Sequence, residues 1–258
     1  MKPSSLLKLL EYNDSTATQD QSYCRKQGYL MSNSQKDRFS FIANSKHIRS
    51  WLVDSKSRAL LINGNGDATV STSPLSYLCA EISQLSQKID FTLSISYFCG
   101  LHIDSQRNPR TGVCEMMISL VGQIMVSKRR LDLFLAESMV TKLKNGSIGS
   151  LCKLFRKLVK QLPANMVLFC FIDNISAYET SRLKEDTLRV VECLTKLVDD
   201  RKQGVVFKLL VTAPGKSRHL QEQLEKDEIF YVPEHIDGGR QGVVNLEVVR
   251  AGMEESTS

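Results

Sequence analysis

The run MVLFCFI at residues 166–172, closed by Asp173, constrains this chain more than any other stretch. A strand that is apolar on both faces has to be covered on both, and that happens in the middle of a parallel sheet between helical layers. Shorter strand patterns begin near residues 58 (RALLIN), 91 (FTLSISYF), 205 (VVFKLLVT) and 229 (IFYV). Helical patterns alternate with them. Leu75, Leu78, Cys79, Ile82 and Leu85 recur at mostly three- and four-residue spacing, behind a Ser73-Pro74 start signal. Arg182 to Asp199 carries another helical segment. Such alternation is the α/β signature, and five candidate parallel strands predict a three-layer sandwich with a mainly parallel five-stranded sheet. The interval between the second and third strands holds three helical patterns, at 113–125, 131–143 and 148–162. That is too long for a simple crossover and predicts an inserted helical segment.

A hydrophobic fraction of 42% over 258 residues suffices for a sizeable core. The net charge of +6, from 34 cations and 28 anions, is within the range of ordinary soluble proteins. Seven cysteines without C-x-x-C spacing, several inside apolar runs, predict reduced, buried thiols rather than a disulfide framework. The opening MKPSSLLKLLEYNDS has an apolar patch too short for a signal peptide, and no apolar run approaches membrane-spanning length. These features predict a cytoplasmic, or alternatively nuclear, protein without a membrane partner. Residues 1–38 read as a short helix and a loosely ordered segment, 39–250 as the α/β domain, and 251–258 as a disordered tail. Within the domain, an extended piece at its start should lead into a helix with Ile48, Trp51 and Leu52 on one face, Trp51 serving as a core anchor.

The connection after the first strand has the frame of a phosphate-binding loop: strand, Gly-containing turn, helix. The full motif is G-x-x-x-x-G-K-[ST], whose backbone N–H groups wrap phosphates while the Lys neutralises them and the hydroxyl helps hold Mg²⁺. Counting from Gly64 places Gly66 inside the turn and Ser71 at the hydroxyl position, but Thr69 replaces the second Gly, Val70 replaces the Lys, and Asp67 adds a negative charge. One lost charge-assisted hydrogen bond costs roughly 1.5–3 kcal/mol, so efficient nucleotide hydrolysis is not expected from this loop.

Asp173 stands at a strand end, where an Mg²⁺-binding aspartate would sit. The next residue is Asn174, which cannot accept the proton that a catalytic Glu would take there. Gly215-Lys216-Ser217 echoes the loop motif, but Leu210 stands where its first Gly belongs. Cys99, His102 and Asp104 offer possible metal ligands without a second pair to complete a tetrahedral set. Lys153, Arg156, Lys157 and Lys160 share one helix face, which reads as a solvated surface and, more weakly, as a nucleic-acid contact.

Taken together, the segments HIRSWLVDSKSRALLINGNGD, ISYFCGLHID, SLCKLFRKLVKQLP, LFCFIDNISAYE and VVFKLLVTAPGKSR resemble fungal P-loop domains related to the NACHT and nephrocystin-3-like N-terminal domains, within the signal-transduction ATPases with numerous domains (STAND). The resemblance implies a P-loop NTPase-like fold whose loop strand is flanked by the Asp173 and Thr212 strands. It also implies a nucleotide site at Gly64, Gly66, Ser71, Asp173 and Thr212, the last as the polar sensor. The sensor strand ends Thr212-Ala213-Pro214 where relatives have T-S-R, with the next arginine at Arg218. The resulting expectation is a pseudo-NTPase acting as a scaffold for protein partners, with ATP or GTP and Mg²⁺ bound weakly if at all. The alternative is a divergent hydrolase using Lys216 or Arg218 for charge and Glu179 as base.

Overall fold

The computed structural model describes residues 2–103, 111–127, 133–200 and 204–236. In chain order its helices and strands are α1 (Pro3–Leu9), α2 (Asp14–Tyr29), α3 (Asn33–Ala43), α4 (Lys46–Val53), β1 (Arg58–Asn63), α5 (Pro74–Ser86), β2 (Thr92–Phe98), α6 (Val113–Ser127), α7 (Glu137–Lys144), α8 (Ile148–Val159), β3 (Val167–Asp173), α9 (Lys184–Val198), β4 (Val206–Ala213) and β5 (Ile229–Tyr231).

All five strands run parallel in the order β2-β3-β4-β1-β5. Every residue of β3 is buried, as its unbroken apolar run requires. The expected order of strands is corrected on one point. β1 is flanked by β4 and β5, and the Thr212 strand stands between β1 and the Asp173 strand. The reason is pairing length: β4 meets β1 from Lys208 to Ala213 and β3 from Val206 to Val211, whereas β5 offers β1 only three residues.

Side-chain alternation divides the core between two faces. Leu60, Ile62, Phe169, Phe171 and Leu210 point to a layer made by α2, α3, α4 and α5. Ala59, Leu61, Leu168, Cys170 and Leu209 point to α1, α6, α8 and α9. The sheet therefore lies between two helical layers, and the segment inserted between β2 and β3 is α6, α7 and α8. Burying a Leu- or Phe-sized side chain contributes about 1.5–3 kcal/mol, so the two faces supply most of the driving force. Trp51 anchors the first layer as expected: it is 1% exposed, its ring edge-on to Phe169 and Phe171, and its Nε1 donates to the Arg58 carbonyl at 3.2 Å.

Three local readings need correction. The stretch expected to be loose is helical, as α2 and most of α3, and α3 also takes up the piece expected to be extended. The pattern of α2 hides its packing, because it docks through polar contacts and a glycine. Arg25 Nε pairs with Glu81 at 2.8 Å, Gln21 donates to the Ala80 carbonyl at 3.1 Å, and Gly28 lies so close to the Tyr77 ring that a Cβ would collide with it. The segment 217–226, whose sequence reads as helical, forms short 3-10 turns instead, at Leu220–Gln223 and Lys226–Glu228. Residues 128–130, which read from the sequence as a basic turn, 243–249, which read as an edge strand, and the expected tail at 251–258 lie outside the described residues. Among the described residues no helix is long and apolar enough to cross a membrane.

Candidate functional site

Asp173, at the carboxyl end of β3, is 0% exposed and meets the end of β4 and the first turns of α5. Its Oδ1 accepts from Thr212 Oγ1 at 2.6 Å, and its Oδ2 accepts from Ser76 Oγ at 2.7 Å. Each hydroxyl also accepts a backbone N–H: Asn174 N lies 3.1 Å from Thr212 Oγ1, and Ser73 N lies 2.9 Å from Ser76 Oγ. The carboxylate is thus linked through two hydroxyls to two amides, one of them at the start of α5, where the helix dipole favours negative charge. Burial nevertheless dominates and raises the Asp173 carboxyl to about 6, against the lowering effect of the Thr212, Ser76 and Asn174 hydrogen bonds.

The serine that reaches Asp173 is not the one at the hydroxyl position of the motif. Ser71 is exposed, and Ser76, five residues on and inside the first turns of α5, meets the carboxylate instead. Counting from Gly64 assumed a loop of fixed length. Here the connection is longer, and α5 begins only at Pro74, capped by Ser73 in a reciprocal arrangement with Ser76. Pro74 and Leu75 immediately precede Ser76, so no lysine stands next to this hydroxyl. The signal that could have found Ser76 is Ser73-Pro74 itself, which marks where the helix starts.

The loop amides are committed elsewhere. Gly64 N donates to the Ala213 carbonyl at 2.8 Å, Asn65 N to Gly215 at 3.0 Å and Gly66 N to Pro214 at 2.8 Å. Asn65 takes a left-handed φ of 52° to make this turn. Thr69 donates both its amide, at 2.8 Å, and its hydroxyl, at 2.7 Å, to Asp67 Oδ1, and this holds the Asp67 carboxyl below its ordinary value. A carboxylate of the chain itself therefore takes amide hydrogen bonding inside the loop.

Residues 70–71 then pass across the ends of β2 and β3. Asn174 Nδ2 donates to the Val70 carbonyl at 3.1 Å, and a Cβ on Gly100 would collide with the Ser71 carbonyl oxygen and lie 2.7 Å from Asn174 Nδ2. Asn174 itself sits at a left-handed φ of 52°.

What is left beside the loop is a cleft of about 200 Å³ lined by Arg38, Gly64, Gly66, Asp67, Val70 and Pro74, among others. Ligand pockets usually hold about 300–1,000 Å³. Arg38 is the cation there, and its guanidinium is spent on the carbonyls of Gly64 (2.6 Å), Pro233 (3.1 Å) and Glu234 (2.7 Å). A nucleotide with Mg²⁺ does not fit these residues as arranged: the carboxylate is covered and doubly bonded, three loop amides serve carbonyls, and the loop carries an anion.

The other candidates are placed as follows. Glu179 accepts from Ser217 Oγ at 2.8 Å, Arg218 N at 2.9 Å and His219 N at 2.9 Å, which caps the turn after β4 and ties it down. Lys216 lies over the Tyr231 ring, 5.6 Å from its centre, and the Arg218 side chain is exposed. Cys99 is buried against Met116, while His102 Nε2 pairs with Asp20 Oδ2 at 2.7 Å. Asp104 lies outside the described residues, among which no group of three His, Cys, Asp or Glu could hold a metal ion. The His102–Asp20 pair borders a wider cleft of about 830 Å³ between the N-terminal helices, β2 and α6. No sequence signal joins these two residues, which are 82 positions apart. On the basic face, Lys157 donates to the Phe134 carbonyl at 2.6 Å and Lys160 pairs with Asp200 at 3.2 Å. No protein-family model matches the chain, and no curated protein matches it.

Proposed function

We propose that this chain keeps a P-loop NTPase-like fold of STAND ancestry in which the nucleotide site has become an internal joint. It acts as a non-hydrolytic scaffold or interaction module for protein partners, with at most weak nucleotide binding. The observation that carries the reading is the buried Asp173, held by Ser76 and Thr212 beneath the loop at 70–73. The strand order differs from the one the resemblance implied, yet a Thr212 strand between loop strand and aspartate strand supports the ancestry, as the arrangement of the NTPases that carry an extra strand there. The hydroxyl–carboxylate contact supports it too, since a serine on the first turns of the loop helix and an aspartate at a strand end are the pair that would share Mg²⁺ in a working site.

The hydrolase alternative draws less support, although the Arg218 side chain is exposed. Glu179 is occupied by three donors, and Lys216 is drawn to Tyr231.

A thermal-shift titration with ATP, ADP and GTP, with and without Mg²⁺, tests the proposal. A ligand at about 100 times its dissociation constant stabilises a fold by about 2.7 kcal/mol. The expected result is an unchanged midpoint at millimolar nucleotide. A Mg²⁺-dependent rise that disappears in Asp173→Asn would sink the proposal.

A further inference from the structure

Cys152 and Cys193 are 41 positions apart and share no motif, yet the packing of α8 on α9 sets them side by side. The Cys193 thiol donates to the Cys152 carbonyl oxygen at 3.7 Å, so the two residues are in direct contact. Each residue keeps 8% of its surface exposed, whereas Cys79, Cys99 and Cys170 are at 0%. Arg156 follows Cys152 by one helical turn and Lys196 follows Cys193 by nearly one, which puts two cations on the turns beside the pair, Lys196 being paired with Glu192 at 2.5 Å. The Cys193 thiol is lowered from its ordinary value, chiefly by the Cys152 hydrogen bond and further by Arg156 and Lys196, against burial. The Cys152 thiol is raised by the same bond and by burial. The nearby cations favour Cys193 as the attacking sulfur, and the contact with Cys152 puts a second cysteine in place to follow, as in reactive cysteines with a resolving partner.

We propose that Cys193 and Cys152 form a peroxide-responsive thiol pair that closes into a disulfide between α8 and α9. The Cys193 thiolate attacks one oxygen of hydrogen peroxide. The O–O bond breaks, the other oxygen leaves as hydroxide and takes up a proton, and Cys193 becomes a sulfenic acid. The Cys152 sulfur then attacks the sulfenic sulfur. The S–O bond breaks, and the leaving hydroxyl departs as water with the Cys152 proton. In sum, two thiols and one peroxide give one disulfide and two waters, the sulfurs being oxidised and the peroxide oxygens reduced. A small thiol returns the pair to its reduced form by exchange.

The test treats the reduced full chain with hydrogen peroxide, alkylates the remaining thiols and maps peptides without reductant. The expected result is a loss of about 2 Da per chain before alkylation, with the Cys152 and Cys193 peptides joined and released by dithiothreitol. Cys114, which is more exposed but has its thiol raised by burial, should stay alkylatable for longer. In Cys152→Ser, dimedone should label Cys193; in Cys193→Ser, it should leave Cys152 unlabelled. Three results would overturn the proposal: both thiols still alkylatable after peroxide, a bridge between other cysteines, or dimedone on Cys152. The peptide map of the unsubstituted chain decides the matter even where a serine variant fails to fold.

Discussion

Ser76 Oγ lies 2.7 Å from Asp173 Oδ2, and this bond joins the first turns of α5 to the end of β3. With Thr212 on the other oxygen, it makes one carboxylate the meeting point of three elements. A hydrogen bond to a charged group is worth roughly 1.5–3 kcal/mol. Ser76→Ala and Thr212→Val should each lower the unfolding free energy by about that amount in urea titrations. Ser71→Ala should stay within about 0.5 kcal/mol of the parent, as exposed sites do. A larger loss at Ser71 than at Ser76 would restore the register read from the motif.

Asp173 also predicts a pH signature. Its carboxyl is raised from 3.8 to about 6, so between those values the folded chain holds a proton that the unfolded chain has released. The stabilisation from this group is complete below about 3.8 and is lost as pH rises through about 6. A shift of this size corresponds to roughly 3 kcal/mol. Urea midpoints of the parent and of Asp173→Asn, compared between pH 4 and 7, should differ by that trend, the variant lacking it. Parallel curves would refute the assignment.

Lys208 gives the opposite case at alkaline pH. It is 0% exposed in β4, and its Nζ donates to the Trp51 carbonyl at 2.9 Å and to the Asp54 carbonyl, closing the end of α4. Burial lowers it from 10.5 to about 8. Between those values the unfolded chain binds the extra proton, so the contribution of Lys208 to stability grows as pH rises from about 8 to about 10.5. The parent should gain stability relative to Lys208→Met across that window, on the order of 3 kcal/mol. Chemical denaturation at pH 7.5 and pH 10 measures it, and an unchanged difference between the two proteins counts against a buried charge.

Glu179 holds the turn after β4 by three hydrogen bonds. Glu179→Ala should cost about 1–3 kcal/mol, with Glu179→Gln losing less because one acceptor oxygen remains. Amide exchange at Arg218 and His219 should quicken in the alanine variant. Unaltered exchange there would show that the turn stands without the carboxylate.

The apolar run ending at Asp173, the alternation at 91–98 and the spacing along α5, α6 and α8 were legible because burial imprints a period on adjacent residues. Asp173 and Thr212 were legible because each closes an apolar strand. The helix α2 was not, since a helix that docks by Arg25, Gln21 and Gly28 leaves no apolar stripe. The 3-10 turn after Ser217 was hidden for a related reason: Glu179, 38 to 40 residues away, holds its start.

By itself the sequence determined the layered α/β architecture and the absence of a lysine from the turn at 64–71, because both are written in residue types and local spacing. Only the tertiary structure decided which strand lies beside β1, that Ser76 rather than Ser71 reaches Asp173, and that Cys152 faces Cys193. These depend on loop path and strand pairing, through contacts between residues far apart in the chain, and a periodic pattern carries no record of them.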